Sequence, residues 1–257
     1  MYKIGKFRLN ESSKMSTARD GMQNVMRSVW TLSLALLLFF TGSGVPERAW
    51  TDSRSVIASP SGLPRIAATN VHGQQAGHLL STTGQRQAVF WDADGALTLL
   101  GTLGGAESEA LALNDVGEVV GVAQTAEGIW RGFRWTHTTG MEELATLGGQ
   151  DSRALAINAA GQIVGEAQTP DGTWRAVLWD AQGLHDLGTL GGEASRALAI
   201  NAASHIAGEA QTADGAWHAF FWEPAPGLHD LGTLGGLQSR AWDVGETGHT
   251  ICHYILL

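Results

Sequence analysis

Cysteine is nearly missing from this chain: Cys252 is the only one in 257 residues. A single thiol cannot close an internal disulfide, so an exported domain of this sequence takes its stability from packing rather than from covalent staples. Lysine is missing after position 14, with Lys3, Lys6 and Lys14 the only three. From Val45 onward ten arginines face 23 acidic residues, a formal charge of −13. That surface repels phosphate backbones and anionic lipid, which argues against nucleic acid as a partner. Long apolar runs are also missing, apart from "VWTLSLALLLFF" at Val29–Phe40. Lys14, Arg19 and Arg27 precede this run and small residues, "TGSG", follow it, the pattern of a secretory signal. The run falls short of the roughly 20 apolar residues of a spanning helix, so membrane contact is expected only through an uncleaved signal segment.

What the chain has in abundance is repetition, and fixed periods of this length point to solenoids, propellers or arrays. The hexamer "LGTLGG" stands at Leu100–Gly105, Leu187–Gly192 and Leu231–Gly236, with a near copy, "LATLGG", at Leu144–Gly149. Asn70, Asn114, Asn158 and Asn201 keep step with it, as do Trp91, Trp135, Trp179 and Trp222. The steps are 43 or 44 residues. Within a unit, glycines such as Gly161, Gly172 and Gly183 close short polar stretches every eleven or twelve residues, and Ser204 takes the first glycine's place in the fourth unit. Strands of about six residues fit between such turns. The segments themselves, "RALAIN", "QIVGEAQ", "TWRAVLW" and "GLHDLGTL", are too short for helices and rich in β-branched and aromatic residues.

The expected fold is therefore all-β and β-propeller-like, with four full four-stranded blades of about 44 residues and a partial fifth; a linear β-hairpin array is the alternative. Residues 1–44 are assigned to an N-terminal extension and signal peptide, 45–65 to a linker, 66–236 to four repeat units and 237–257 to a partial or truncated fifth. In the third strand of the third unit, Trp174, Ala176 and Leu178 share one face and Arg175, Val177 and Trp179 the other; both are apolar enough to be covered by neighbouring sheets. In its first strand Ala154 and Ala156 are expected to lie opposite Leu155 and Ile157. The fifth unit breaks the pattern: Asp243 replaces an alanine, Gly245 the asparagine and Cys252 a glycine. An unpaired carboxylate between apolar neighbours would be costly, so Asp243 points to a truncated or frame-shifted end.

Laid out as "LGTLGG..SRALAIN..G.IVGEAQT..G..RAV.W", the motif resembles the extracellular HAF-type repeat family, named for a His-Ala-Phe tripeptide. His218, Ala219 and Phe220 spell it, and Arg131-Gly132-Phe133 and Arg175-Ala176-Val177 are variants at the aligned place. The likeness covers about Ile66 to Val244. It implies secretion or surface display in bacteria and a propeller-like fold, and it implies no activity, so no catalytic residue is carried over.

Candidate sites are weighed against plainer roles. A phosphate-cradling loop needs a following helix and a lysine, and the hexamers have neither. Their glycines are expected in the connections between sheets. The "GLHDLG" pairs His185-Asp186 and His229-Asp230 become Leu97-Thr98 and Glu142-Glu143 in the other units, and adjacent strand residues point to opposite faces, so they do not converge on a metal. Arg153, Arg196 and Arg240 are expected to pair with carboxylates such as Glu166 and Glu209. Aspartates in "DADG" and "TPDG" are expected to bond their own turns. The Trp91 series is expected in the core, whereas Trp130, Trp174 and Trp217, which follow turns directly, are the candidate ligand-binding residues. No catalytic, cofactor or metal-binding residue is assigned, since nearly every polar position is replicated and a catalytic site needs unique residues in one pocket.

The expected role is an exported, non-catalytic binding or surface-structure module, with carbohydrate or a surface protein as partner; the alternative is a propeller-based hydrolase or lyase with its site at the channel mouth. That alternative requires unreplicated residues, and only His72, His78, His137 and His205 qualify. If the hexamers join sheets, Gly191→Val should lower the unfolding free energy by about 1–3 kcal/mol in chemical denaturation, with no ligand involved.

Overall fold

The computed structural model describes residues 5–6 and 64–255; the apolar run 29–40 and the linker up to residue 63 lie outside them. Four sheets of four antiparallel strands follow one another as simple meanders. The first holds β2 (Arg65–Thr69), β3 (Gln75–Leu80), β4 (Arg86–Trp91) and β5 (Leu97–Leu99). The second holds β6 (Gly104–Leu113), β7 (Val119–Thr125), β8 (Trp130–Thr136) and β9 (Gly140–Glu143). The third holds β10 (Ser152–Ile157), β11 (Ile163–Gln168), β12 (Trp174–Asp180) and β13 (Gly183–Gly188), and the fourth β14 (Gly191–Ile200), β15 (Ile206–Thr212), β16 (Trp217–Glu223) and β17 (Gly227–Asp230). A fifth sheet pairs β18 (Gln238–Val244) with β19 (Thr250–Ile255), and the edge of β19 takes the short strand β1 (Gly5–Lys6), with Gly5 opposite Cys252. Nothing in the repeat pattern signals that N-terminal strand.

The sheets stack face to face in series and are propeller-like and unclosed. Each first strand lies against the first, second and third strands of the sheet before it, whereas the outermost strands scarcely meet. That fan separates a propeller arrangement from a linear hairpin array. It also covers both faces of the middle strands, as the third strand's composition requires. Ala176 and Leu178 pack with Ala197, Ile206 and Phe220 of the fourth sheet, while Val177 and Trp179 pack with Val120 of the second. Phe133 and Phe220, both fully buried, fill the same place in the second and fourth sheets, where the first and third hold the equally buried Val89 and Val177. Burial of one such ring contributes about 1.5–3 kcal/mol.

Two glycine-dependent joints set this geometry. In the hexamer Leu187–Gly192, which leaves β13 and enters β14, Gly191 has φ of 101° and a Cβ on Gly192 would stand 2.5 Å from the Thr212 carbonyl oxygen. The first glycine of the pair turns the chain and the second lets two backbones touch, so the hexamers do connect sheets. The other joint is a β-bulge in every first strand, where the register slips between Ala154 and Ala156 and at matching places in the other units. A Cβ on Gly165, the β11 residue facing the bulge, would lie 1.9 Å from the Arg153 carbonyl oxygen.

The bulge corrects one expectation. Strict alternation puts Ala154 and Ala156 on one face, but the extra residue moves Ala156 into the cluster shared with the fourth sheet while Ala154 and Ile157 pack together on the other side. A second correction concerns Asp243, which follows the same bulge in β18. It is exposed and its carboxylate accepts the Val244 N–H at 2.8 Å, so it bears no cost of burial. Ser204, in the place of a turn glycine, keeps the turn with φ of 64° and donates its hydroxyl to Gln162 Oε1.

The sheets are tied to one another at two edges. At one edge the Asn side chain of each unit donates to the backbone carbonyl of its counterpart in the next: Asn70 to Asn114, Asn114 to Asn158, Asn158 to Asn201 and Asn201 to Gly245, over 2.9–3.1 Å. At the other edge a buried Ser accepts a backbone N–H from the third strand of the previous sheet, as Ser152 does from Gly132 and Ser195 from Ala176. Asn158→Asp should cost about 2–3 kcal/mol in thermal or chemical denaturation, because a carboxylate cannot donate to Asn201 and is itself buried.

Candidate functional site

Antiparallel register sorts the two tryptophan series onto opposite edges. Trp179, at the end of β12, is opposite Ile163 beside the Asn turns, and Trp174, at its start, is opposite Gln168 beside the glycine pairs. Trp135 and Trp179 are 5% exposed, and the Trp179 indole N–H donates to the Ala145 carbonyl at 2.8 Å, so these two are core, whereas Trp91 and Trp222 of the same series are half-buried. Trp130, Trp174 and Trp217 open the third strands of three successive sheets and are half-buried. The Arg86 guanidinium lies 5.3 Å from the Trp130 ring centroid and that of Arg153 4.9 Å from Trp174. Each contact contributes about 0.5–1 kcal/mol at such a site and fixes the ring's orientation.

The same edge carries a relay of ion pairs between sheets. Glu166 on β11 is 2% exposed and accepts from Arg153 of its own sheet at 3.0 Å and from Arg196 of the next at 2.9 Å. Glu209 on β15 repeats the arrangement with Arg240, whose guanidinium meets both carboxylate oxygens, and is 3.7 Å from Arg196. The expected Arg–Glu pairing is thus present as a chain running through three sheets. Between the first two sheets the charges exchange places: His78 on β3 meets Glu109 on β6 at 3.3 Å, and Arg86 reaches Glu109 at 2.6 Å and Glu107 at 3.3 Å. Between the second and third the β7 position holds Val122, and Arg153 turns back to Glu166.

The remaining candidates are held apart. His185 pairs with Asp180 and His229 with Glu223, while Asp186 accepts the Gly188 N–H and Asp230 bonds both Gly232 and His218. Among the described residues no three His, Cys, Asp or Glu side chains gather as metal ligands. Asp92 accepts the N–H groups of Asp94 and Ala96 within its own turn, and the Thr169 hydroxyl holds the Asp171 carboxyl below its ordinary pKa. The four unreplicated histidines do not converge. His72 is exposed in the first Asn turn, His78 is buried in β3, His137 packs on Trp135 and Phe90, and His205 sits in the fourth Asn turn against Phe221.

A cleft of about 230 Å³ lies instead where the fifth sheet meets the fourth, lined by Glu209, Gln238, Ser239, Arg240, Trp242 and His253. Trp242 is 51% exposed, with the Arg240 guanidinium 4.5 Å from its ring centroid. None of the three candidate tryptophans lines this cleft. Trp242 was open to detection from sequence, because it stands where "SRALAIN" has leucine.

No protein-family model and no curated protein matches the sequence. Among solved structures, one described as TolB from Agrobacterium tumefaciens is similar with a TM-score of 0.51 at 10% identity, over 72% of this chain and 71% of that one. TolB from Acinetobacter baumannii is similar with a TM-score of 0.47 at 12% identity, over 76% of this chain and 43% of that one, so this chain spans less than half of its length. A gluconolactonase from Xanthomonas campestris gives 0.44 at 11% identity, over 77% and 78%. At 10% identity the Agrobacterium match is a likeness of fold alone, in keeping with the propeller-like stack.

Burial holds His78 below its ordinary pKa of 6.5; Glu109 pulls it upward, and Arg86 and Arg65 push it down. A folded-state pKa below the unfolded one means that neutral His78 contributes stability above pH 6.5, which is lost as the pH falls through the lower folded value. Unfolding free energy should therefore decline between about pH 7 and pH 5, and His78→Gln should flatten that part of the profile.

Proposed function

We propose that the repeat stack is an exported, non-catalytic binding module whose ligand face is the edge carrying Trp130, Trp174 and Trp217. The supporting observation is the row itself: one half-buried indole in each of three successive sheets, at a single register, two of them oriented by arginine. Indole faces stack on the apolar CH faces of sugar rings, and the flanking guanidinium and carboxylate groups are suited to hydroxyls, so the ligand class is carbohydrate. Replicated polar residues favour binding over catalysis here, because they are engaged in junctions between sheets. Export rests on the apolar run Val29–Phe40 with its basic flank and on the likeness to extracellular HAF-type repeats.

A glycan array probed with the full chain tests this reading. Binding to an extended glycan is expected, weakened about tenfold by Trp174→Ala, a loss of about 1.4 kcal/mol, with the circular dichroism spectrum unchanged. Failure to retain any glycan would remove the reading, and turnover of a bound glycan would replace it with the hydrolase or lyase alternative.

A further inference from the structure

Internal repeats supply their own controls: a residue needed to build the stack recurs at its register position, and one that departs from it is released for another task. In the first strands the bulge residue is Leu111, Leu155 and Leu198 in the second, third and fourth units, and Trp242 in the fifth. Opposite Arg240 in the ladder stands His253, where the third and fourth units place Glu166 and Glu209 against Arg153 and Arg196. The position before the buried serine varies, with Glu107, Asp151 and Ala194 in the earlier units, and holds an exposed Gln238 in the fifth. The two departures and Gln238 line one cleft.

We infer that the cleft between the fourth and fifth sheets is a binding site for a single uncharged sugar ring, distinct from the Trp130–Trp174–Trp217 row. Its volume of about 230 Å³ equals that of seven or eight waters and lies below the roughly 300–1,000 Å³ of sites for drug-sized ligands, so it suits one small ring. The chemistry of the lining selects among small rings. Trp242 offers a flat apolar surface, and Arg240 backs one face of the indole and leaves the other to a ligand. Glu209 and Arg240 neutralise one another through two contacts, so the site presents no unbalanced ion to an anionic group. Gln238 brings an exposed amide suited to hydroxyl groups. The net negative charge of the chain from Val45 onward further disfavours an anionic sugar.

The test uses the full-length protein with methyl glucoside, methyl galactoside and methyl mannoside as neutral probes and sodium glucuronate as the charged one. Saturation-transfer NMR detects binding and calorimetry gives Kd. At least one neutral glycoside should bind, at least tenfold more tightly than glucuronate. Trp242→Ala and, separately, Gln238→Ala should each weaken it tenfold or more, whereas Trp174→Ala should leave it unchanged. Both substituted positions in the cleft are exposed, so neither change threatens folding. Absence of binding by all three neutral probes, tighter binding of glucuronate, or an unaltered Kd in both cleft variants overturns the inference. The row of three tryptophans is judged separately, by the effect of Trp174→Ala on extended glycans.

Discussion

One asparagine amide holds each junction between successive sheets. Asn158 is 6% exposed, and its Oδ1 accepts the N–H groups of Ala160 and Gln162 while its Nδ2 donates to the Gln162 side chain and the Asn201 carbonyl. The full valence of the amide is used: one oxygen shapes the turn within a sheet and one nitrogen reaches the next sheet. Aspartate could shape the turn but could not donate across the junction. Serine at the opposite edge does the complementary task, accepting a backbone N–H that the ladder leaves unfilled. With both ends of a first strand fixed in this way, the apolar faces between have one depth and one register at which to pack, which explains why Val89, Phe133, Val177 and Phe220 occupy equivalent, fully buried places. At Gly245 the ladder still accepts from Asn201 but has no side chain with which to donate onward.

Much of this was legible because repetition multiplies weak signals. One Asn before a glycine is a turn; four in step with four tryptophans and four glycine pairs are the joints of a stack. The two tryptophan registers lie at opposite ends of the same strand, five residues apart, but burial divides them only in part: Trp135 and Trp179 are buried, whereas Trp91 and Trp222 are as half-buried as Trp130, Trp174 and Trp217. What escaped was whatever depends on backbone meeting backbone. Gly165 reads as an ordinary weak strand residue until the bulge brings the Arg153 carbonyl to within 1.9 Å of where its Cβ would be. The same bulge defeated the alternation used for Ala154 and Ala156. Asp243 misled for a different reason, because its alanine counterparts lie between sheets whereas its own face is exposed.

The chemistry of the molecule is divided by edge. Along the Asn edge the repeated asparagines serve both the turn and the junction. Along the opposite edge the junction is made by serine and by the Glu166 and Glu209 relay, and those contacts leave aromatic and guanidinium surface half-exposed beside them.

Repetition that reveals a fold conceals a site, since a residue present in every unit is explained by the unit. The informative letters are then the ones out of step. Asp243, Gly245 and Cys252 attract notice first because each contradicts the packing expected at its position, yet none of them lines the cleft. Trp242 contradicts nothing, since a large apolar residue replaces another, and it reads as conservative. Only the structure shows that the leucines of the earlier units are partly buried while the indole of Trp242 is half in solvent with a guanidinium on its face. Exposure, not residue type, turns that substitution from packing into chemistry.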